Sequence, residues 1–238
     1  MNRFYVLPEF ISQNTVTITG QDVNHIKNVL RLRTDDRIIC FDGKGMEYLC
    51  SITGIEKDSV RTEIISSKKA DTEPAVKITL AQGLPKSSKM DYIIQKSVEL
   101  GVFKIIPLIT ERAVAKGEKI ERWRKIAKES SEQCGRAMIP EISPVLNFKE
   151  FLNISTHFDL KLIPWENEKQ ISLKSVLKEH PNTNSIALLI GPEGGFSAQE
   201  VKEAVEKGFK PVSLGKRILR TETASLAALA MISYEMGM

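Results

Sequence analysis

Two glycine-bearing stretches near the C-terminal end hold the residue types that could bind a ligand through the backbone. In Gly191-Pro192-Glu193-Gly194-Gly195, missing side chains leave N–H and C=O groups open to close approach. The stretch follows an apolar run and precedes a helix, whose start is signalled by Ser197 and Glu200 at capping-box spacing. In an open α/β sheet, that strand-end position is where ligands bind. No Gly-Lys-Ser/Thr follows and no G-x-G-x-x-G is present, so it is neither a phosphate loop nor a dinucleotide fingerprint. A tight turn needing glycine for its backbone angles would read the same way, and five residues do not choose between the two.

The second stretch, Leu214-Gly215-Lys216-Arg217-Ile218-Leu219-Arg220-Thr221-Glu222-Thr223-Ala224, again lies between a strand and a helix. Two adjacent strand ends with such loops can form one pocket. Ile218 and Leu219 either anchor into the core or wall a purine ring. Thr221 and Thr223 are good helix N-caps. The last helix is small-sided nearly all round, so it must be covered, by the sheet or by a second subunit. Other chemistries fare badly. His25, His157 and His180 are scattered, Cys134 reads as a small packing residue, and no G-x-S-x-G occurs.

The elements that would position these loops are legible. Up to about Ile65 the segments are short and strand-like: Arg3–Leu7, Thr15–Thr19, Arg37–Phe41, Glu47–Ile52 and Val60–Ile65. One helix interrupts them, from about Gln21 to Leu30, with Val23, Ile26, Val29 and Leu30 as its apolar stripe. Ser66 to Pro74 is polar, without periodicity, and reads as a linker. Beyond it strands alternate with helices: Val76–Ala81, Ser88–Leu100, Phe103–Ile109, Ile120–Cys134, Phe158–Ile163, Ser185–Ile190, Pro211–Leu214 and a last helix from about Thr223 to Met236. Apolar runs such as Ser185–Ile190 suit strands buried on both faces, so an α/β domain with a mostly parallel sheet is expected over residues 75–238, after a small β-rich domain over 1–70.

With 238 residues and 42% hydrophobic content the chain can bury an ordinary core. Three cysteines without a C-x-x-C pair argue against a disulfide framework and a zinc site, and no metal is expected. No signal peptide or membrane span is read, which leads to an expected cytoplasmic location. The net charge of +4 says little by itself, but residues 111–136 carry eight basic side chains against five acidic ones. RNA binding would therefore rest on local patches: Lys27 and Arg31 one turn apart with Arg33 beyond, and Arg122, Lys125 and Arg136 along another helix. Solvated helix faces are the plainer explanation of such charges.

These motifs occur in an order that resembles the RsmE family of the SPOUT class of methyltransferases. The likeness runs through His25-Ile26-Lys27-Asn28-Val29-Leu30-Arg31, Lys86 to Asp91, Gln95 to Val102, Ser131-Glu132-Gln133-Cys134-Gly135-Arg136, Ile190 to Ser197 and Leu214 to Ala224. It implies a PUA-like β-barrel RNA-binding domain, a sheet ending in a trefoil knot, a homodimer, and methylation of uracil N3 in small-subunit (16S) ribosomal RNA, free or in an assembling subunit. A knot is too rare for composition or periodicity to suggest. S-adenosyl-L-methionine would lie among three loops, on Pro164, Trp165 and Glu166, on Ile190, Gly191, Glu193 and Gly194, and on Leu214, Gly215, Ile218, Leu219 and Arg220. Uracil N3 must lose its imide proton before it can attack, so a cation near O2 or O4 is needed. Arg220 is expected there, helped by Arg136, with Glu222 accepting the proton, fixing Arg220, or merely favouring a helix N-terminus. Lys27, Arg31, Arg33, Lys86, Lys89, Arg122 and Arg136 would contact RNA. An assembly protein without catalysis, or a SPOUT enzyme acting on transfer RNA, are the competing readings.

Overall fold

The structure is a computed structural model that describes residues 1–86, 88–113 and 119–237. Its contacts divide into two compact units, Met1–Glu73 with Ser131–Ile139, and Pro74–Ser130 with Pro140–Met238.

In the first unit β1 (Arg3–Tyr5), β2 (Thr15–Thr19), β3 (Arg37–Phe41), β4 (Met46–Ile55) and β5 (Ser59–Lys69) form a sheet in the order β1-β3-β4-β5-β2. Only the β1–β3 pair is parallel. Register shifts at Leu49/Cys50 and Ile52/Gly54 bend β4, as bulges do, and curl the sheet into a half-barrel around Val16, Ile18, Ile38, Cys40, Ile52 and Val60. Ser66–Lys69, expected in a linker, extends β5 and pairs with Met46–Leu49. Because that end of β5 is exposed on both faces, it shows no alternation and carried no strand signal.

Helix α1 (Gln21–Asn24) continues as a π-helical turn, His25–Val29, in which the Leu30 N–H reaches the His25 carbonyl at 2.9 Å. The wider turn rotates the expected stripe. Val23 and Ile26 are buried, but Val29 is 64% exposed. The helix ends before Arg31, whose φ of 55° is left-handed, so Lys27 and Arg31 are not stacked one turn apart.

Residues 131–139, the last turn of a long helix of the second half and the segment after it, belong to this unit. The Gly45 N–H donates to the Ala137 carbonyl (3.1 Å), the Ile139 N–H to Gly43 (3.2 Å) and the Tyr5 N–H to the Glu132 carboxylate (2.9 Å). Cys134 is exposed rather than packed.

The second unit runs β6 (Lys77–Gly83), α2 (Lys89–Glu99), β7 (Lys104–Ile109), α3 (Ile120–Cys134, its last turn counted with the first unit), β8 (Glu141–Ile142), β9 (Leu146–Asn147), α4 (Phe148–Ile154), β10 (Leu160–Pro164), α5 (Leu173–Glu179), β11 (Ser185–Ile190), α6 (Ala198–Glu206), β12 (Lys210–Val212) and α7 (Thr221–Glu235). The sheet order is β12-β10-β11-β6-β7-β8, with β9 also on β7 and every pairing parallel. β6 and β11 are buried almost throughout, as strands covered on both faces must be. Ala81, Leu189, Phe151, Phe196 and Phe209 pack on one face; from edge strand β12 the chain returns as α7 to the sheet centre, against α2, α5, β6 and β11.

Helix α7 is covered on one side only, where Ser225, Ala228, Leu229 and Ile232 are buried, whereas Met231 is 44% and Tyr234 81% exposed. No helix of the described residues is long and apolar enough to cross a membrane.

Candidate active site

Since every strand of the second sheet is parallel, all carboxyl ends lie along one edge, where the following loops form the natural ligand crevice. β12, β10 and β11 are consecutive neighbours, so three loops separated by tens of residues converge. They enclose a cleft of about 380 Å³, inside the roughly 300–1,000 Å³ range of small-molecule sites.

The structure brings Pro164, Trp165, Glu166, Ile190, Gly191, Glu193, Gly194, Leu214, Gly215, Ile218, Leu219 and Arg220 together in the lining of this one cleft. Ile218 is 84% exposed, so it anchors no core and presents an apolar side chain to the cleft. Glu166 turns its carboxylate onto the glycine loop: a Cβ placed on Gly195, whose φ is 66°, would be 3.1 Å from Oε1. The loop after β10 is tied to that after β12 by the Leu173 N–H to the Ser213 carbonyl (3.1 Å) and the Ser213 N–H to the Ile171 carbonyl (2.8 Å). Glu168 caps the same loop, accepting from the Gln170 and Ile171 N–H groups, and these bonds hold its carboxyl below the usual range.

A buried polar cluster that no sequence motif indicated holds the glycine loop in place. Gln82, at the end of β6, donates through Nε2 to the Thr221 hydroxyl (2.9 Å), and that hydroxyl donates to the Gly191 carbonyl (2.6 Å). The Ser225 hydroxyl lies between the Gln82 side-chain carbonyl and the Thr221 backbone carbonyl. Thr221 is therefore not the N-cap of α7; Arg220 occupies that position and makes no side-chain capping bond. Replacing Thr221 by valine removes the side-chain acceptor of the Gln82 amide, which keeps the Gly83 carbonyl at 2.9 Å, and leaves the Gly191 carbonyl only the longer 3.5 Å bond from Gln82. A loss of about 1–3 kcal/mol is expected, or a Tm lower by about 2–4 °C per kcal/mol; calorimetry checks it, with Thr221→Ser recovering most.

On the far side, the expected capping box forms: Ser197 Oγ accepts from the Glu200 N–H (3.2 Å), and Glu200 accepts from the Ser197 N–H (2.9 Å). Residues after β7 join it, with the Glu111 N–H donating to Glu200 (2.9 Å), the Ser197 hydroxyl to Glu111 (2.6 Å), and Arg112 Nη1 to the Gly194 carbonyl (2.9 Å).

The proposed catalytic cations are placed differently. Arg220 is exposed at the cleft and has no ion-pair partner among the described residues. Arg136, expected to assist it and to touch RNA, belongs to the first unit, is 4% exposed and is gripped by Glu73, with Nε to Oε1 at 3.0 Å. Glu222 makes no ion pair with Arg220 among the described residues; its carboxylate pairs with Lys89 at 3.3 Å. Lys86 is exposed and its N–H donates to Glu193, while Arg122 pairs with Asp91 at 2.7 Å. Lys27, Arg31 and Arg33 are exposed. His25 packs edge-on to Phe4, His157 against Phe158, and His180 beside Lys210. Among the described residues no group of three His, Cys, Asp or Glu could hold a metal.

Fold and cleft agree with two family models that define the class, an RNA methyltransferase. Residues 72–233 match the family model of an RNA methyltransferase domain, and residues 18–65 that of an RNA methyltransferase PUA domain. Ribosomal RNA small subunit methyltransferase E of Bacillus subtilis is 37% identical over 231 residues, covering 93% of this chain and 90% of its own. The crystal structure of the enzyme of that name from Neisseria gonorrhoeae, bound to S-adenosyl methionine, superposes with a TM-score of 0.91 at 39% identity, over 98% of this chain and 97% of that one. A methyltransferase from Legionella pneumophila, solved with its bound cofactor SAM, gives 0.87 at 34% identity, over 98% and 96%. The chain belongs to the ribosomal RNA small subunit methyltransferase E family.

Proposed function

We propose that this protein transfers the methyl group of S-adenosyl-L-methionine to N3 of a uridine in small-subunit ribosomal RNA, in the cytoplasm. The observation that carries the reading is the convergence of three strand-end loops on one cleft, with the Arg220 guanidinium at it and without an ion-pair partner among the described residues. The residues fit the donor. Leu214, Ile218 and Leu219 give a purine an apolar wall, and Gly191 and Gly215 line the cleft with no side chain between backbone and ligand.

When bound, the donor supplies a methyl group on a sulfonium. Before attack, the N3–H bond breaks and its proton passes to water at the open side of the cleft. Arg220 stabilises the negative charge left on O2 or O4, which is larger in the transition state than in the neutral base. The new N3–methyl bond forms as the sulfur–methyl bond breaks, leaving a thioether. Glycine-loop contacts and the flipped base together must align the two reacting atoms. Incubation with labelled donor and either small-subunit or transfer RNA, followed by mapping of the modified nucleotide, tests the assignment. Methylated transfer RNA, or no methylation of either, would overturn it.

RNA is held first through phosphates. Lys27, Arg31 and Arg33 project from the π-helical end, and the left-handed backbone of Arg31, disfavoured by about 1–2 kcal/mol for a residue with a Cβ, supports a contact that depends on its placement. Arg31→Ala is expected to flatten the log-affinity against log-salt slope by about 0.7–0.9; filter binding at several salt concentrations measures it. Two copies joined across the outer face of α7, where Met231 and Tyr234 are exposed, complete the reading. A monomer in sedimentation velocity would remove that part. The C-terminal knot is supported by the order β12-β10-β11 and the return of α7 to the sheet centre.

A further inference from the structure

Lys89 stands at the first position of α2, the end of a helix where a positive charge is disfavoured by the macrodipole. Its place is explained by what it touches. Nζ lies 3.1 Å from Glu193 of the glycine loop and 3.3 Å from Glu222 in the first turn of α7, so one ammonium joins three elements far apart in the chain. Glu193 is held on its other side by the Lys86 N–H, at 3.1 and 3.2 Å from its two oxygens. The side chain of Glu193 is thereby committed to its scaffold, which leaves its backbone to face a ligand.

We propose that Lys89 is a positioning residue that fixes the glycine loop against the first turn of α7 and so sets where Arg220 stands relative to the methyl donor. This inference rests on the functional reading above. Arg220 is the N-cap of α7, and the two residues after it both reach toward the glycine loop, Thr221 through its hydroxyl on the Gly191 carbonyl and Glu222 through Lys89. Without the ammonium, Glu193 and Glu222 would be two carboxylates converging on an empty gap, and their repulsion would push loop and helix apart. The ion pairs also leave their mark on titration. Glu193, together with Glu222 and against the opposing effect of burial, raises the pKa of Lys89. Burial pushes the Glu193 carboxyl up, but its own N–H, the Lys89 ammonium and the Lys86 N–H outweigh this and hold it below the usual range.

Lys89 is accordingly not available as an RNA contact, since a phosphate would have to displace two carboxylates. Glu222 is an anion neutralised by Lys89, which spares the anionic base a repelling like charge.

The test uses the whole chain with K89M, K89R, E222Q and the K89M/E222Q pair. Hydrogen exchange of the Gly194–Phe196 amides, which needs no cofactor, is expected to rise about tenfold in K89M and little in K89R, as loss of a supporting contact loosens the loop. Calorimetric affinity for S-adenosyl-L-methionine and the single-turnover methyl-transfer rate should each fall about tenfold in K89M, recover in K89R, and fall no further in the double variant. RNA affinity should keep its salt slope. Unchanged exchange and donor affinity in K89M, with a salt slope flatter by about 0.7–0.9, would make Lys89 a phosphate contact and overturn the proposal. Should K89M fail to fold, E222Q decides in the same assays: a faster-exchanging loop supports the tie and an unchanged one refutes it. A parent protein that binds no donor would sink the functional reading, while the exchange measurement still judges Lys89.

Discussion

Arg220→Ala is expected to slow methyl transfer by about a hundredfold to a thousandfold while changing affinity for S-adenosyl-L-methionine only a few-fold, the pattern of a lost interaction made chiefly in the transition state. The physical reason is the charge that appears at the uracil when N3 loses its proton. A guanidinium already in place stabilises that charge without reorganising, and Arg220 is in place because the first turn of α7 fixes its backbone, with the Ala224 N–H on its carbonyl at 2.7 Å. Arg217 supplies the comparison, since it lines the same cleft but sits within the loop, outside the helix. Arg217→Ala is expected to cost methyl transfer less than about tenfold. Single-turnover rates and donor titration on both variants check the pair, and an undiminished rate in Arg220→Ala would remove the assignment. Arg220→Lys should recover only part of the rate, because a lysine offers a point charge in place of a planar fork.

Gly83→Ala is the second large effect and acts without touching charge. A Cβ at Gly83 would lie 2.6 Å from Pro192 Cδ and 2.7 Å from the Pro192 backbone nitrogen. Backbone cannot turn aside as a side-chain tip can, so the glycine loop must move. A shift of about 1 Å suffices to cost about a hundredfold where alignment matters, and overpacking of this kind destabilises by about 1–3 kcal/mol. Donor affinity and methyl transfer should therefore both collapse, with a lower Tm. Gly54→Ala, where an added Cβ meets nothing within 4 Å, is the control and should leave donor affinity as it was. Equal donor affinities in the two variants would show that the β6 end does not support the loop.

Gly83 illustrates what a sequence reading overlooks. Gly191–Gly195 announced itself by clustering, whereas Gly83 is a single glycine at the end of an apolar strand, and its reason lies 109 residues away in Pro192. The same holds for Gln82, whose partner Thr221 is 139 residues distant. A glutamine directly after Leu80-Ala81 was the available hint, a polar group at the carboxyl end of a buried strand. Lys89 stood among the expected RNA contacts because nothing local marks the two carboxylates that claim it. Arg136 was expected to assist Arg220 and to touch RNA, because nothing near it in the chain announces Glu73 as its partner.

What the amino-acid order determined by itself is everything that repeats over a few residues. Buried parallel strands show as unbroken apolar runs, α3 as a helical stripe, the start of α6 as a capping box, and two of the three loops as glycine-bearing breaks after strands, whereas Pro164–Glu166 was expected only from the family resemblance. Such signals arise from backbone period and local hydrogen bonding, which the chain carries wherever it goes. Only the tertiary structure decided that β12, β10 and β11 lie side by side, so that their three loops share one cleft. It likewise decided that residues 131–139 join the first unit, that the π-helical turn swings Val29 outward, and that Arg220 alone of the expected catalytic groups is left unpaired at the cleft, among the described residues. These depend on long-range pairing and burial, where one residue's environment is set by others scores of positions away.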